Sequence, residues 1–274
     1  MANVEREFRS ALMLIFVVTF GVLATVPSWG KGGFREEDYL ISNGQGISSP
    51  SFWDGLNGEN PAGLSYNSSL KVQGGAGAYD DDFSPIRGSG ALILGNGLLG
   101  AGLEYSGYQV GPASNSGVIN WGVGGYFSAI QTALGVSGHH IMGSSAGSYD
   151  IGALIDLGSR LRLGAMIPNF TNGVDALGVG LCFALDRSID LVIDSALELA
   201  GSTSVRFKPG INFHLDSVQA SAAYAPAASG GVGGNLISDG FTAGLGFRLM
   251  RSALISYEYQ GSIQHRLGLT LKLN

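Results

Sequence analysis

The chain has 274 residues, 45 of them glycine, with only 13% charged and a formal net charge of −6. Glycine far above its usual ~7% share and charge far below the usual ~25% are unlike an ordinary soluble enzyme, while the lack of a Gly-X-Y period excludes collagen. An apolar content of 45% excludes a wholly disordered chain, the acidic balance without a Lys/Arg cluster excludes a nucleic-acid surface, and one cysteine, Cys182, leaves neither an internal disulfide nor a cysteine-rich zinc site.

The first thirty residues read as an address. Met1 to Arg9 is charged, 10–26 is apolar, and Ser28 and Gly30 are the small residues a signal peptidase needs, so 1–30 is expected to be a cleaved signal peptide. Because the uncharged run reaches Gly30, near the ~20 residues that span a bilayer, an uncleaved anchor is the alternative. Both readings send the remainder out of the cytoplasm. Residues 31–59 are rich in Gly and Ser. They lead into "GENPAGLS" (58–65), where Asn60-Pro61 starts a turn and Gly63 allows positive φ.

From residue 65 the dominant period is two. "VRFKPGINFHLD" (205–216) puts Val205, Phe207, Ile211 and Phe213 on one face and Arg206, Lys208, Asn212 and His214 on the other. The same split recurs in 177–186, 241–249 and 265–274. In chain order the expected strands are 65–78, 86–94, 97–109, 117–130, 133–142, 148–158, 161–169, 176–185, 188–198, 205–214, 218–226, 237–249, 253–260 and 263–274. Segments of about ten residues suit a tilted strand crossing a membrane, and an even number returns both ends to one side. Tight turns at Asn96-Gly97, Gln131-Thr132, Ser159-Arg160, Asp186-Arg187, Asp216-Ser217 and Arg251-Ser252 alternate with longer links, except at Gln260-Gly261. Short turns on one side and longer loops on the other are the habit of outer-membrane barrels. The fold expected over 65–274 is therefore all-β: a transmembrane antiparallel up-and-down β-barrel of about 14 strands.

If the apolar face meets lipid, Asp150, Asp156, Asp190, Asp194, Glu198, Arg206, Lys208, Arg248, Arg266 and Lys272 point into the lumen. The hairpin of 188–198 with 205–214 brings Glu198 towards Arg206 and Asp194 towards Lys208, so part of this charge cancels between neighbouring strands. Small lumenal residues leave space for a plug or a permeant. Tyr105, Tyr108, Trp121, Tyr126, Phe127, Tyr149, Phe170, Tyr257 and Tyr259 are expected near strand ends, where aromatic girdles sit.

Enzyme signals are weak. "GSSAG" (143–147) fits the G-x-S-x-G pattern with Ser145 as nucleophile, but that motif needs a strand turning into a helix, and no helix follows. His139 and His140 face opposite sides of a strand. The run Asp80-Asp81-Asp82 has oxygens for a divalent cation and also reads as a solvated acidic loop. No bond chemistry, cofactor or metal is expected.

"NPAGL" (60–64), directly before the first strand, resembles the hatch segment of the FadL family of outer-membrane channels for hydrophobic compounds. Further stretches, "YDIGALIDLGSRLRLGAMIPN" (149–169), "KPGINF" (208–213) and "HRLGLTLKL" (265–273), resemble hairpins of smaller relatives of the PorV type. The resemblance implies that 31–64 is an N-terminal hatch or plug segment, with Asn60, Pro61, Ala62 and Gly63 in the lumen. It implies a bacterial outer-membrane channel passing small hydrophobic molecules by diffusion. The alternative is a structural or assembly barrel that docks partner proteins. Expected partners are outer-membrane lipid and hydrophobic small molecules, with protein partners or a homo-oligomer left open and no nucleic acid. FadL transporters capture ligand on large external loops, whereas the longest external link here spans only 226–235, so no such capture surface is expected.

Overall fold

A computed structural model of the chain describes residues 46–48, 59–79, 86–109, 117–144, 147–199, 204–215, 217–226, 240–250, 252–260 and 264–273. The expected signal peptide, most of the expected plug, the run 80–82 and Ser145 lie outside the described residues. Alternation becomes strand wherever it is sustained. The strands are β1 (Leu70–Tyr79), β2 (Ile86–Gly95), β3 (Leu99–Gln109), β4 (Val118–Phe127), β5 (Thr132–Ile141), β6 (Gly147–Leu157) and β7 (Leu161–Ile167). They continue with β8 (Ala176–Ala184), β9 (Ile189–Glu198), β10 (Ser204–His214), β11 (Val218–Ala225), β12 (Gly240–Met250), β13 (Ala253–Gln260) and β14 (Gln264–Leu273).

Each strand pairs antiparallel with its sequence neighbours, and β1 pairs with β14, so the sheet is a closed barrel of fourteen strands. Closure removes both sheet edges, which is what allows a sheet to stand in lipid without unpaired backbone groups. The short links 96–98, 128–131, 158–160, 185–188, 215–217 and 251–252 lie at one end, the end at which β1 begins and β14 finishes. Links at the other end are longer, apart from 261–263.

Outward residues are mostly large and apolar, and inward ones mostly small or polar. Along β9, Leu191 and Ile193 are exposed while Asp190, Val192, Asp194 and Ala196 are buried. On β10, Val205 and Phe207 are exposed and Lys208 is buried. An apolar outer face around a polar interior is the reverse of a water-soluble sheet. Among the described residues no helix is long and apolar enough to cross a membrane.

Three expected boundaries are wrong in an informative way. The strand placed at 65–78 starts only at Leu70, because the turn begun at Asn60-Pro61 runs on as a 3-10 helix, Pro61–Tyr66. Likewise β4 stops at Phe127, where a single 3-10 turn (Ser128–Ile130) ends on Gln131 in the left-handed region, and β7 stops at Ile167 shortly before Asn169, also left-handed. Proline at the first helical position and a preceding asparagine cap favour the helix at 61–66 over a strand.

Candidate functional site in the lumen

The inner wall carries a row of directly paired glycines. Gly95 pairs with Gly100, Gly100 with Gly124, Gly124 with Gly135 and Gly135 with Gly152, running across β2 to β6. A methyl group on Gly124 would stand 2.9 Å from the Pro61 carbonyl oxygen, and one on Gly100, Gly135 or Gly152 would overlap Leu64, Pro61 or Asn60 outright. The 3-10 helix therefore rests on bare backbone. A second pair, Gly164 and Gly180 on β7 and β8, lies under Ile47 and Ser48: a methyl group on Gly164 would overlap the Ile47 backbone, and one on Gly180 would overlap the Asp194 carboxylate and crowd the Ser48 side chain. Absence of a side chain is what lets another backbone approach so closely.

Polar contacts fix the segment in that seat. The Asn60 amide nitrogen donates to the carbonyls of Ile47, Ala153 and Ala165 at 2.9, 3.0 and 3.1 Å, while its oxygen accepts from the Ala62 N–H at 3.1 Å. Ser65 donates its hydroxyl to the Ala62 carbonyl, and the Gly63 N–H donates to the Asn60 carbonyl. Pro61, Ala62 and Gly63 are buried, as is the whole helix. Asp194 accepts from the backbone N–H groups of Ile47 and Ser48, both at 3.2 Å, and from the Ser48 hydroxyl at 2.6 Å.

Tyr66 closes the seat. Its hydroxyl donates to Asp156 at 2.8 Å, the Arg162 guanidinium lies 4.3 Å above its ring, and Arg162 Nε donates to Asp156 at 2.6 Å. Burial pushes the Tyr66 phenol well above its ordinary range, so it stays protonated and keeps this donor. Tyr126, expected in an outer girdle, is instead buried on the inside, 5.6 Å from Tyr66 in an edge-on arrangement. It belongs to an apolar cluster with Ala62, Ala133, Leu154, Cys182 and Val192 that the helix covers.

All ten charges expected in the lumen have inward parity. Asp150, Asp156, Asp190, Asp194, Glu198 and Lys208 are buried, whereas Arg206, Arg248, Arg266 and Lys272 keep part of their surface. Asp194 is directly opposite Lys208, and Glu198 meets Arg206 at 3.5 Å two residues off register. Asp190 pairs with His214 at 2.9 Å and Arg266 with Glu258 at 4.0 Å. Asp150 ends a chain across four strands: it contacts His139 at 2.7 Å, His139 contacts Asn120 at 2.9 Å, and Asn120 donates to Glu104 at 3.2 Å.

No protein-family model and no curated protein sequence matches the chain. Among solved structures it is similar to the outer membrane protein Omp33 of Acinetobacter baumannii, with a TM-score of 0.52 and 11% identity over 77% of this chain and 99% of that one. A mutant porin of Rhodopseudomonas blastica aligns with a TM-score of 0.48 and 10% identity, over 75% of this chain and 99% of that one. The likeness to Omp33 is one of fold. The chain is a closed fourteen-stranded antiparallel barrel of the outer-membrane kind.

Sequence reasoning missed Arg162, Glu104, Lys71 and the lumenal role of His139, although the same inward parity would have found them. The glycine row had no such signal, because pairing between strands depends on turn geometry. Among the described residues no three His, Cys, Asp or Glu side chains are grouped to hold a metal ion. What the arrangement does is hold a segment of chain against one side of a polar lumen.

Proposed function

We propose that the protein is a channel of the bacterial outer membrane through which small water-soluble solutes diffuse, narrowed by its own inner stretches 46–48 and 59–67. The carrying observation is a closed barrel with an apolar outside, a charged inside and a lumenal segment seated on paired glycines. A barrel of this strand number is wider than side chains alone fill, so an inner segment sets how much of the lumen is left for solute.

Purified protein in planar bilayers tests this directly. Discrete conductance steps are expected from the full barrel, and larger steps from a variant lacking 46–64. Folded barrels of both kinds without any conductance would sink the channel reading.

Passage of small hydrophobic molecules, which the resemblance of Asn60-Pro61-Ala62 to the FadL hatch implies, is a second reading. It is favoured by the inward apolar cluster around Tyr126 and Leu154. Because Ala62 and Tyr66 cover that cluster, such molecules reach it only when the segment lifts, so their uptake should rise steeply in the shortened variant. Charged solutes should permeate both forms.

A further inference from the structure

We propose that the lumen selects for small anions, and that Lys272 and Arg248, backed by Lys71, hold the carboxylate or phosphate groups of the solute as it passes. The inference rests on the channel reading and adds the class of solute to it.

The charge inside the barrel is segregated by wall. Among the described residues, the inward acids Glu104, Asp150, Asp156, Asp190, Asp194 and Glu198 stand on β3, β6 and β9. The inward bases Lys71, Arg206, Lys208, Arg248, Arg266 and Lys272 stand on β1, β10, β12 and β14. Arg162 on the first wall and Glu258 on the second are the exceptions. Low-dielectric walls focus such a field within a cleft.

Accessibility then decides which sign a solute meets. The six acids of the first wall are buried and each contacts the wall or the inner segment, as Asp194 does Ser48 and Asp156 does Tyr66 and Arg162, while Glu258 on the second wall keeps part of its surface beside Arg266. Four of the six bases retain exposed surface. The segment covers part of the acidic wall, so it removes negative charge from the path as well as volume.

Two of the bases are set against each other. Lys71 and Lys272 are direct cross-strand partners on the pair that closes the barrel, and both point inward. Two cations held opposite one another draw an anion to the wall they share. Arg248 is two strands away, about 10 Å by strand spacing, where a register shift between Arg248 and Met250 interrupts the pairing of β12 with β13. Irregularities of this kind re-aim the adjoining side chain. The three residues lie towards the end of the barrel that carries the short links, so they form a station at one mouth.

The test is the zero-current potential of the reconstituted full-length barrel across a potassium chloride gradient. The expected chloride-to-potassium permeability ratio is above one. It should fall towards one in Lys272→Gln and below one in the double variant Lys272→Glu, Arg248→Glu, with the gel-mobility shift on boiling used to select folded barrels. If the glutamate pair does not fold, the glutamine variant alone decides. A conducting wild-type barrel with a ratio at or below one overturns anion selection while leaving the channel intact. A ratio unmoved by Lys272→Gln overturns the assigned station. Absence of conductance in folded wild type removes the channel reading and this inference with it.

Discussion

Asn60 shows how much one side chain can decide. Its oxygen caps the 3-10 helix, and its nitrogen reaches carbonyls of two wall strands and of Ile47. Asn60→Ala loses both functions, at about 1–3 kcal/mol for the buried groups left unsatisfied. Asn60→Asp keeps an acceptor for the cap but turns an anionic oxygen towards three carbonyls, so it should loosen the segment more than alanine does. Amide hydrogen exchange checks this: protection at Ala62 and Ser48 should fall in the order wild type, alanine, aspartate, while the strands stay protected. Aspartate behaving better than alanine would mean that the cap matters and the seat does not. Arg162 offers a second test. Removing it alone strands the buried Asp156 carboxylate, which costs about 3–5 kcal/mol, whereas Arg162→Leu with Asp156→Asn should recover much of the loss. The urea midpoints of a double-mutant cycle read the difference.

At the scale of the element, the inner segment and its glycine row form one unit. Gly135→Leu places a branched side chain where the Pro61 backbone lies. The barrel ladders do not need that space, so the expected result is an intact barrel with its segment displaced and larger conductance steps. Gly74, which faces outward on β1 with nothing within 4 Å of an added methyl, is the control, and Gly74→Ala should leave conductance unchanged. Equal behaviour of the two variants would refute the seat. The sequence carries the strands openly, since a period of two runs through stretches such as 177–186, 205–216 and 265–274, and parity alone puts Asp194, Lys208 and Glu198 inward. It hides the helix at 61–66, because Leu64 and Tyr66 alternate with Gly63 and Ser65 as a strand would. What decides against a strand is tertiary: the glycine row accepts a narrow helix lying flat. That row is legible only once register is known, because each pairing, such as Gly124 with Gly135, is set by the turn between the strands.

For the whole molecule, the governing fact is that the apolar face points out. Closing the barrel also brings β1 beside β14, so Lys71 and Lys272, from opposite ends of the barrel sequence, become neighbours that no local pattern foretells. The outward face carries a prediction that separates lipid from water as its solvent. Ile193 is 49% exposed near the middle of β9, and Leu215 is 62% exposed just beyond the end of β10, by the short links. In a bilayer, an arginine facing lipid at the midplane costs about 2–4 kcal/mol, and one near the interface about 0–1 kcal/mol. Ile193→Arg should therefore lower unfolding stability in lipid vesicles by the larger amount, and Leu215→Arg by little. In water both would lie on a solvated surface, where a charge replacing an exposed aliphatic group changes stability by at most about 0.5 kcal/mol. Depth in hydrocarbon separates the two sites, because both side chains are exposed on the outer face. A depth-dependent loss, measured as paired urea midpoints in vesicles, assigns the apolar belt to lipid, and two equal small changes would take the barrel out of the membrane.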